Sequence, residues 1–439
     1  MKKLLFLILL LPFLLQGQEV YNLKKCLNIG LERNYDIRIM QNSQKISDNN
    51  SSRENAGYLP SVYLSGGYSG NFNNIDVQRL RVGDAIHYNN ALNQNLNAGI
   101  YANWTFFDGL KMQTNYEKLK EYQRIGEVRT RIALKVFVSN MAVEYYNYIQ
   151  QLTQFQNLQY AVKLSKERLR IVEERYTIGS MSRLDLQQAK VDFNADSAKL
   201  IKQREILFNS RVNFNRLMGI ADVEQPIVLE DTTIINDFVF PDKETEWKLV
   251  EQQNASLILA QKEVYLSELD LKAIKSVNYP HLSLNAGYGY NGNYYSLAAT
   301  KSTGILGASF GLSLQYNIFN GYSQKRLQNN AKIEIENRKL NYDNLLLQIK
   351  SDFSNIWMAY ENNKELMALN RENVAAAKEN FQFAIDRYML GTLSGIALRE
   401  AQNSLLEAEQ RLVEAEYSTK LCELSLLLIS GEMLRLVYE

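Results

Sequence analysis

Proline is scarce in this chain: five residues in 439, at Pro12, Pro60, Pro226, Pro241 and Pro280. Because proline removes a backbone donor and clashes inside helices and central strands, the spans without it can run as unbroken elements, and the four later prolines mark boundaries. Cysteine is scarcer still. Cys26 and Cys422 alone exclude a disulfide framework and leave either two small buried side chains or one bridge in an oxidising compartment. Only His87 and His281 are present, the first in an expected surface loop and the second at an expected strand start, so no His-based triad or zinc site can be assembled. Net charge is nearly absent: 49 basic against 48 acidic residues leave +1, which gives no footprint for nucleic acid. Gly287-x-Gly289-x-x-Gly292 has the spacing of a dinucleotide fingerprint. It falls on an expected strand with no helix following to hold phosphates, so the glycines read as strand glycines, and neither a cofactor nor enzymatic chemistry is expected.

Long apolar runs are missing beyond the first residues, which excludes a bundle of membrane helices of about 18 residues or more. The opening MKKLLFLILLLPFLLQGQEV has two lysines, a short apolar core and small or polar residues around Gly17. These are the parts of a secretory signal peptide over residues 1–17. Cys26 lies well beyond the apolar run with no small residue before it, so a lipid anchor is not indicated.

What the chain does have is a phrase written twice. Glu174 to Ala189 reads ERYTIGSMSRLDLQQA and Asp386 to Ala401 reads DRYMLGTLSGIALREA. Arg175, Tyr176, Gly179, Ser182, Leu186 and Ala189 return 212 positions later as Arg387, Tyr388, Gly391, Ser394, Leu398 and Ala401. Asn34 and Pro60 return as Asn254 and Pro280 at an offset of 220, and Phe107, Gly109 and Gly219 return as Phe319, Gly321 and Gly431 at 212. The chain is therefore two tandem halves, 18–220 and 251–439, joined by a linker over 221–250, with a longer loop between Pro60 and Phe107. Within each half, Leu134, Val138, Met141, Tyr145, Tyr148, Leu152 and Phe155, and Phe353, Trp357, Tyr360, Met367, Val374, Phe381, Ile385 and Tyr388, keep the spacing of helices packed side by side, with Lys364 breaking the second run. Helical hairpins are expected over about 110–218 and 322–430. Each carries an outgoing helix of about 65 residues, or about 100 Å.

Four segments alternate apolar and polar residues with period two, over about 58–72, 95–107, 281–291 and 304–319. A soluble sandwich would give the same pattern. Segment length, aromatic residues near the segment ends and the export signal favour a membrane β-barrel. Four strands cannot close, and an open edge in lipid leaves backbone groups unpaired, so several chains must share a barrel. Three chains would give twelve strands, which suits the small polar inner faces better than the eight strands of two.

With the paired RYxxG phrases, the two F-[DN]-G turns (Phe107-Asp108-Gly109 and Phe319-Asn320-Gly321) and the tandem order, the sequence resembles the TolC-type outer membrane efflux proteins over essentially the whole mature chain. The resemblance implies a mainly α fold with a membrane β-barrel part. It would be a homotrimer whose 12-stranded barrel joins a 12-helix periplasmic tunnel in the outer membrane of a Gram-negative bacterium. It implies an exit duct of a tripartite efflux or secretion system, with outer membrane lipid, a periplasmic adaptor and an inner membrane pump of the RND or ABC type as partners. It further implies that Arg175, Tyr176, Gly179, Arg387, Tyr388 and Gly391 form the adaptor-docking tip. Asp185 and Glu400 take the positions of acidic residues that constrict the mouth. Asp185 also completes a capping-box spacing with Ser182, Glu400 also fits a solvated helix position, and Ala397 and Leu393 depart from the family pattern. A coiled-coil stalk that transports nothing and an autonomous porin are the rival readings.

Overall fold

The computed structural model describes residues 20–78, 86–236, 238–296 and 300–438. The expected leader, 1–17, lies outside the described residues, as does 79–85 within the longer loop. The chain divides into two compact units: Met1–Asn42 with Val128–Leu259 and Tyr342–Glu439, and Ser43–Glu127 with Ala260–Asn341.

The second unit holds a four-stranded antiparallel sheet of β2 (Ser61–Val77), β3 (Ile86–Phe107), β5 (His281–Tyr295) and β6 (Ser302–Gln315), in the order β2-β3-β5-β6. Its register places the apolar set of every strand on one face: Leu64 opposite Ile100, Ile100 opposite Tyr288, Leu284 opposite Leu312 and Tyr290 opposite Leu306. The other face pairs Gly67 with Asn97, Asn95 with Asn293 and Asn285 with Gly311. Asn95 Nδ2 donates to Asn291 and Asn293 at 3.1 and 2.6 Å, so the polar face is laced by side chains. Because the side-chain period is two, a slip of one residue would exchange these faces, and the pattern fixes the register. The glycines Gly287 and Gly289 sit mid-strand where a Cβ would run into Tyr101 at 2.6 Å and the Ala98 carbonyl at 2.8 Å. Gly287 makes room for the Tyr101 ring and Gly289 for the neighbouring backbone.

β2 and β3 are longer than the alternation indicated, because the largely polar run His87–Asn95 continues the ladder with Ser69–Asp76. His87, expected in a loop, therefore lies on β3, where its Nδ1 pairs with Asp76. β6 ends at Gln315, short of the expected 319.

The helices also come in pairs. Short helices α1 (Leu23–Arg33) and α2 (Tyr35–Asn50) correspond to α5 (Lys243–Gln253) and α6 (Ala255–Lys275). The long helices α3 (Lys111–Thr177) and α7 (Ser323–Met389) have 67 residues each, and the return helices α4 (Arg183–Met218) and α8 (Gly395–Ser430) have 36 each. The chain passes between the units through α2, α3, α6 and α7. No described helix is long and apolar enough to cross a membrane.

Asn34 and Asn254 each break a helix and start the next. Asn34 Oδ1 accepts from the amides of Asp36 and Ile37, and its Nδ2 donates to the Leu217 carbonyl at 3.1 Å. Asn254 repeats this with Ser256, Leu257 and the Ile429 carbonyl at 2.9 Å. The side chain thus caps one helix and ties it to the end of a return helix. The linker is partly ordered as β4 (Val228–Leu229), which pairs in parallel with β1 (Val20–Tyr21), and α5 begins before its expected end. Around this joint Leu27, Val138, Met141, Tyr145, Phe214, Leu424 and Leu427 form the main core, each worth about 1.5–3 kcal/mol when fully buried. Cys26 is buried in it and Cys422 is half-buried; both are free thiols, and burial pushes the Cys26 thiol up to about 12. The last helix, α9 (Arg435–Tyr438), follows the Gly431 turn.

Candidate functional site

The repeated phrase folds as two near-identical turns that reverse α3 into α4 and α7 into α8. Gly179 and Gly391 take φ of 77° and 75°, the left-handed conformation that lets a helix stop. In the first turn the Gly179 amide donates to the Tyr176 carbonyl at 3.0 Å and the Ser180 amide to the Arg175 carbonyl at 2.8 Å; the second repeats both with Tyr388, Thr392 and Arg387 at 3.0 and 2.9 Å. The hydroxyls of Ser180 and Thr392 each donate to the same carbonyl at 3.0 Å. A Cβ on either glycine would meet nothing within 4 Å, so the turns are open to solvent.

The next helix starts differently in the two copies. Ser182 Oγ accepts from the Asp185 amide at 3.2 Å and the Asp185 carboxylate accepts from the Ser182 amide at 3.2 Å, a complete capping box. Ser394 accepts from the Ala397 amide at 3.2 Å, and alanine returns nothing.

The tips of the two hairpins also touch one another. The Arg175 guanidinium lies 5.7 Å from the centre of the Tyr388 ring. Tyr388 is buried with its hydroxyl unpaired, whereas Tyr176, its counterpart, is exposed, as is Arg387. A small cleft lined by Arg168, Val172, Asp185, Asp192 and Tyr388 lies beneath them. Below it, Arg168 pairs with Asp192, and Arg399 makes a bidentate pair with buried Asp196, 2.6 Å to each oxygen. Those two hydrogen bonds hold the Arg399 guanidinium charged against the cost of its burial. The structure thus brings Tyr388 and Asp185 to one cleft, with Arg175 against the Tyr388 ring. Glu400, on exposed ground beside the inward-turned Arg399, is not part of it.

The profile of the family described as "Outer membrane efflux protein" matches residues 27–220 and 248–432, nearly the whole described chain. The chain belongs to the outer membrane efflux protein family. Solved structures share its fold. The CmeC outer membrane channel of Campylobacter jejuni superposes with a TM-score of 0.78 at 16% identity, covering 95% of this chain and 90% of that one. CusC, whose structures concern folding and transmembrane channel formation, gives 0.74 at 17%, covering 95% and 96%. The outer membrane protein VceC of Vibrio cholerae gives 0.73 at 15%, covering 93% and 96%. No curated protein sequence matches the chain.

As an outer membrane efflux protein, the chain is an outer membrane exit duct extending into the periplasm, and membership implies a trimer in a tripartite system. The sequence reading overlooked the apolar side chains that this protein leaves exposed around its turns: Ile178, Leu184, Leu390 and Ile396. A signal was available, since Ile178 and Leu184 return as Leu390 and Ile396 at the same offset of 212, apolar in both copies where a solvated helix end would be polar.

Proposed function

We propose that the two turns form the docking tip for a periplasmic adaptor, with Arg175, Tyr176, Gly179, Arg387, Tyr388 and Gly391 shaping the turns and Ile178, Leu184, Leu390 and Ile396 supplying apolar contact. The observation that carries this is the pairing: two turns with the same glycine conformation and the same backbone hydrogen bonds, each open to solvent and each flanked by exposed apolar residues. In this reading three chains surround one duct. Asp185 and Glu400 each contribute a ring of three carboxylates that narrows its mouth until the adaptor opens it. Lipid covers the apolar face of the sheet, and an inner membrane pump of the RND or ABC type supplies the energy. The names of CmeC as an outer membrane channel and of CusC as forming a transmembrane channel support the same reading for this chain.

Conductance in a planar bilayer tests it. The unmodified protein should pass little current, and Asp185→Ala with Glu400→Ala should raise it several-fold and weaken cation preference. High conductance in the unmodified protein would instead make it an autonomous porin, and an unchanged double variant would remove the gate from these two residues.

A further inference from the structure

A cleft of about 550 Å³ lies where α8 ends, between α3 and α7. Ile132 and Val136 of α3, Leu345 and Ile349 of α7 and Leu428 of α8 give it apolar walls, and Gln348, Asn355 and Ser425 add neutral polar groups. All of them belong to one of the two compact units. The volume falls within the range of about 300–1,000 Å³ that holds drug-sized molecules.

Lys135 also lines this cleft, and it is 8% exposed. Among the described residues it has neither an ion pair nor a hydrogen bond. A lysine so covered ordinarily keeps a carboxylate, because a buried charge without a partner costs several kcal/mol. Lys420, the other buried lysine among the described residues, follows that rule with Glu423 at 2.7 Å. Around Lys135 the charge is instead compounded: burial and the neighbouring Arg131 push its ammonium below the usual lysine range. A Cβ on Gly431 would stand 3.1 Å from the Lys135 Nζ, so the ammonium sits at the carbonyl end of α8, which favours a cation without cancelling its charge. Asp352 lines the cleft too, but it is exposed and makes no ion pair, so it stays with water. The repeat shows that the helix does not need the cation for its shape. At the offset of 212, Leu347 holds the position of Lys135 on a helix of equal length.

We propose that this cleft binds an amphipathic anion, a carboxylate or sulfonate on an apolar body of drug size, with Lys135 on the anionic group and the aliphatic walls around the body. The anion supplies the partner that Lys135 lacks, in a charge-assisted hydrogen bond largely shielded from water. A neutral molecule of the same shape gains only the apolar contact, and a cation is repelled by Lys135 and Arg131. The site is independent of adaptor docking and of the number of chains around the duct, since every lining residue comes from one chain.

Photo-labelling of the full-length protein in a non-ionic detergent tests it, with 4-benzoylbenzoate as the anion and its amide as the neutral control. Under light the carboxylate should label peptides from 132–136, 345–356 and 425–429, and should saturate them at a concentration about tenfold lower than the amide. Lys135→Met, similar in length and uncharged, should remove that difference, so that both compounds label alike. Val136→Trp fills the cleft from an exposed position where folding is not at stake, and should abolish labelling by both. That variant decides the matter if Lys135→Met does not fold. Equal labelling by carboxylate and amide in the unmodified protein would overturn the proposal, as would labelling confined to other peptides. So would a carboxylate preference that survives in folded Lys135→Met, or labelling of these peptides that persists in Val136→Trp.

Discussion

Seven described glycines take positive φ, but their surroundings separate them into two kinds. Gly431, at φ 84°, would place a Cβ 2.7 Å from the Gln253 carbonyl, and Gly219, at 73°, would place one 3.0 Å from Arg33. Gly179 and Gly391 have the same backbone and empty surroundings. Gly391→Ala should therefore cost only the left-handed penalty, about 1–2 kcal/mol. Gly431→Ala adds a collision with backbone that cannot move aside, and its loss should exceed about 3 kcal/mol. Unfolding of the two variants in detergent, followed by circular dichroism, compares them; equal losses would show that the joint relaxes around the added methyl. The glycines at the turns were legible in the sequence because a helix end with Gly has a local cause. The unequal fate of Tyr176 and Tyr388 was not, since it depends on which copy of the phrase faces its sister. Asn34 and Asn254 were visible as a pair, but their work as caps depends on carbonyls at Leu217 and Ile429, distant in sequence.

Between the hairpins, the ionic cluster of Arg168, Asp192, Asp196 and Arg399 has no second copy. At an offset of 212 the corresponding positions hold Asn380, Ser404, Ala408 and Gln187, none of them charged. The repeat therefore keeps its shape while placing this charge on one junction only, where it binds α4 to α8 of the same chain. Removing one partner leaves the other charged and desolvated, so Asp196→Ala should destabilise by about 3–5 kcal/mol. Asp196→Leu combined with Arg399→Met should recover most of that loss, because a packed apolar pair needs no compensation. A thermal melt of the single and double variants decides. If the double variant is no more stable than the single, the pair acts through something other than its charges. No sequence pattern announced this cluster, since the four residues are spread over two hairpins and look like ordinary solvated charges. The long helices themselves were legible to within a few residues, because spans without proline and with seven-residue spacing leave few alternatives. Strand ends were read less well: His87 to Asn95, where Tyr88, Ala91 and Leu92 stand among polar residues, shows little alternation, and cross-strand partners hold it in the ladder.

The sheet has two unpaired edges, β2 and β6, with 17 and 14 residues. In water such edges would be wet; in lipid each unpaired N–H or C=O costs several kcal/mol. If lipid covers the apolar face that the register assembles across all four strands, as proposed, the edges must find partners in other copies. Two copies would supply eight strands, a barrel that side chains fill, whereas three would supply twelve and leave a lumen for the face of Gly, Ser and Asn. The native mass of the detergent-extracted protein, with the bound detergent subtracted, should accordingly be three times that of one chain. A mass of two chains would keep the membrane barrel and remove the lumen, and with it the duct. A single chain would leave both edges bare, which no bilayer permits, and the apolar face would then have to belong to a soluble sandwich instead.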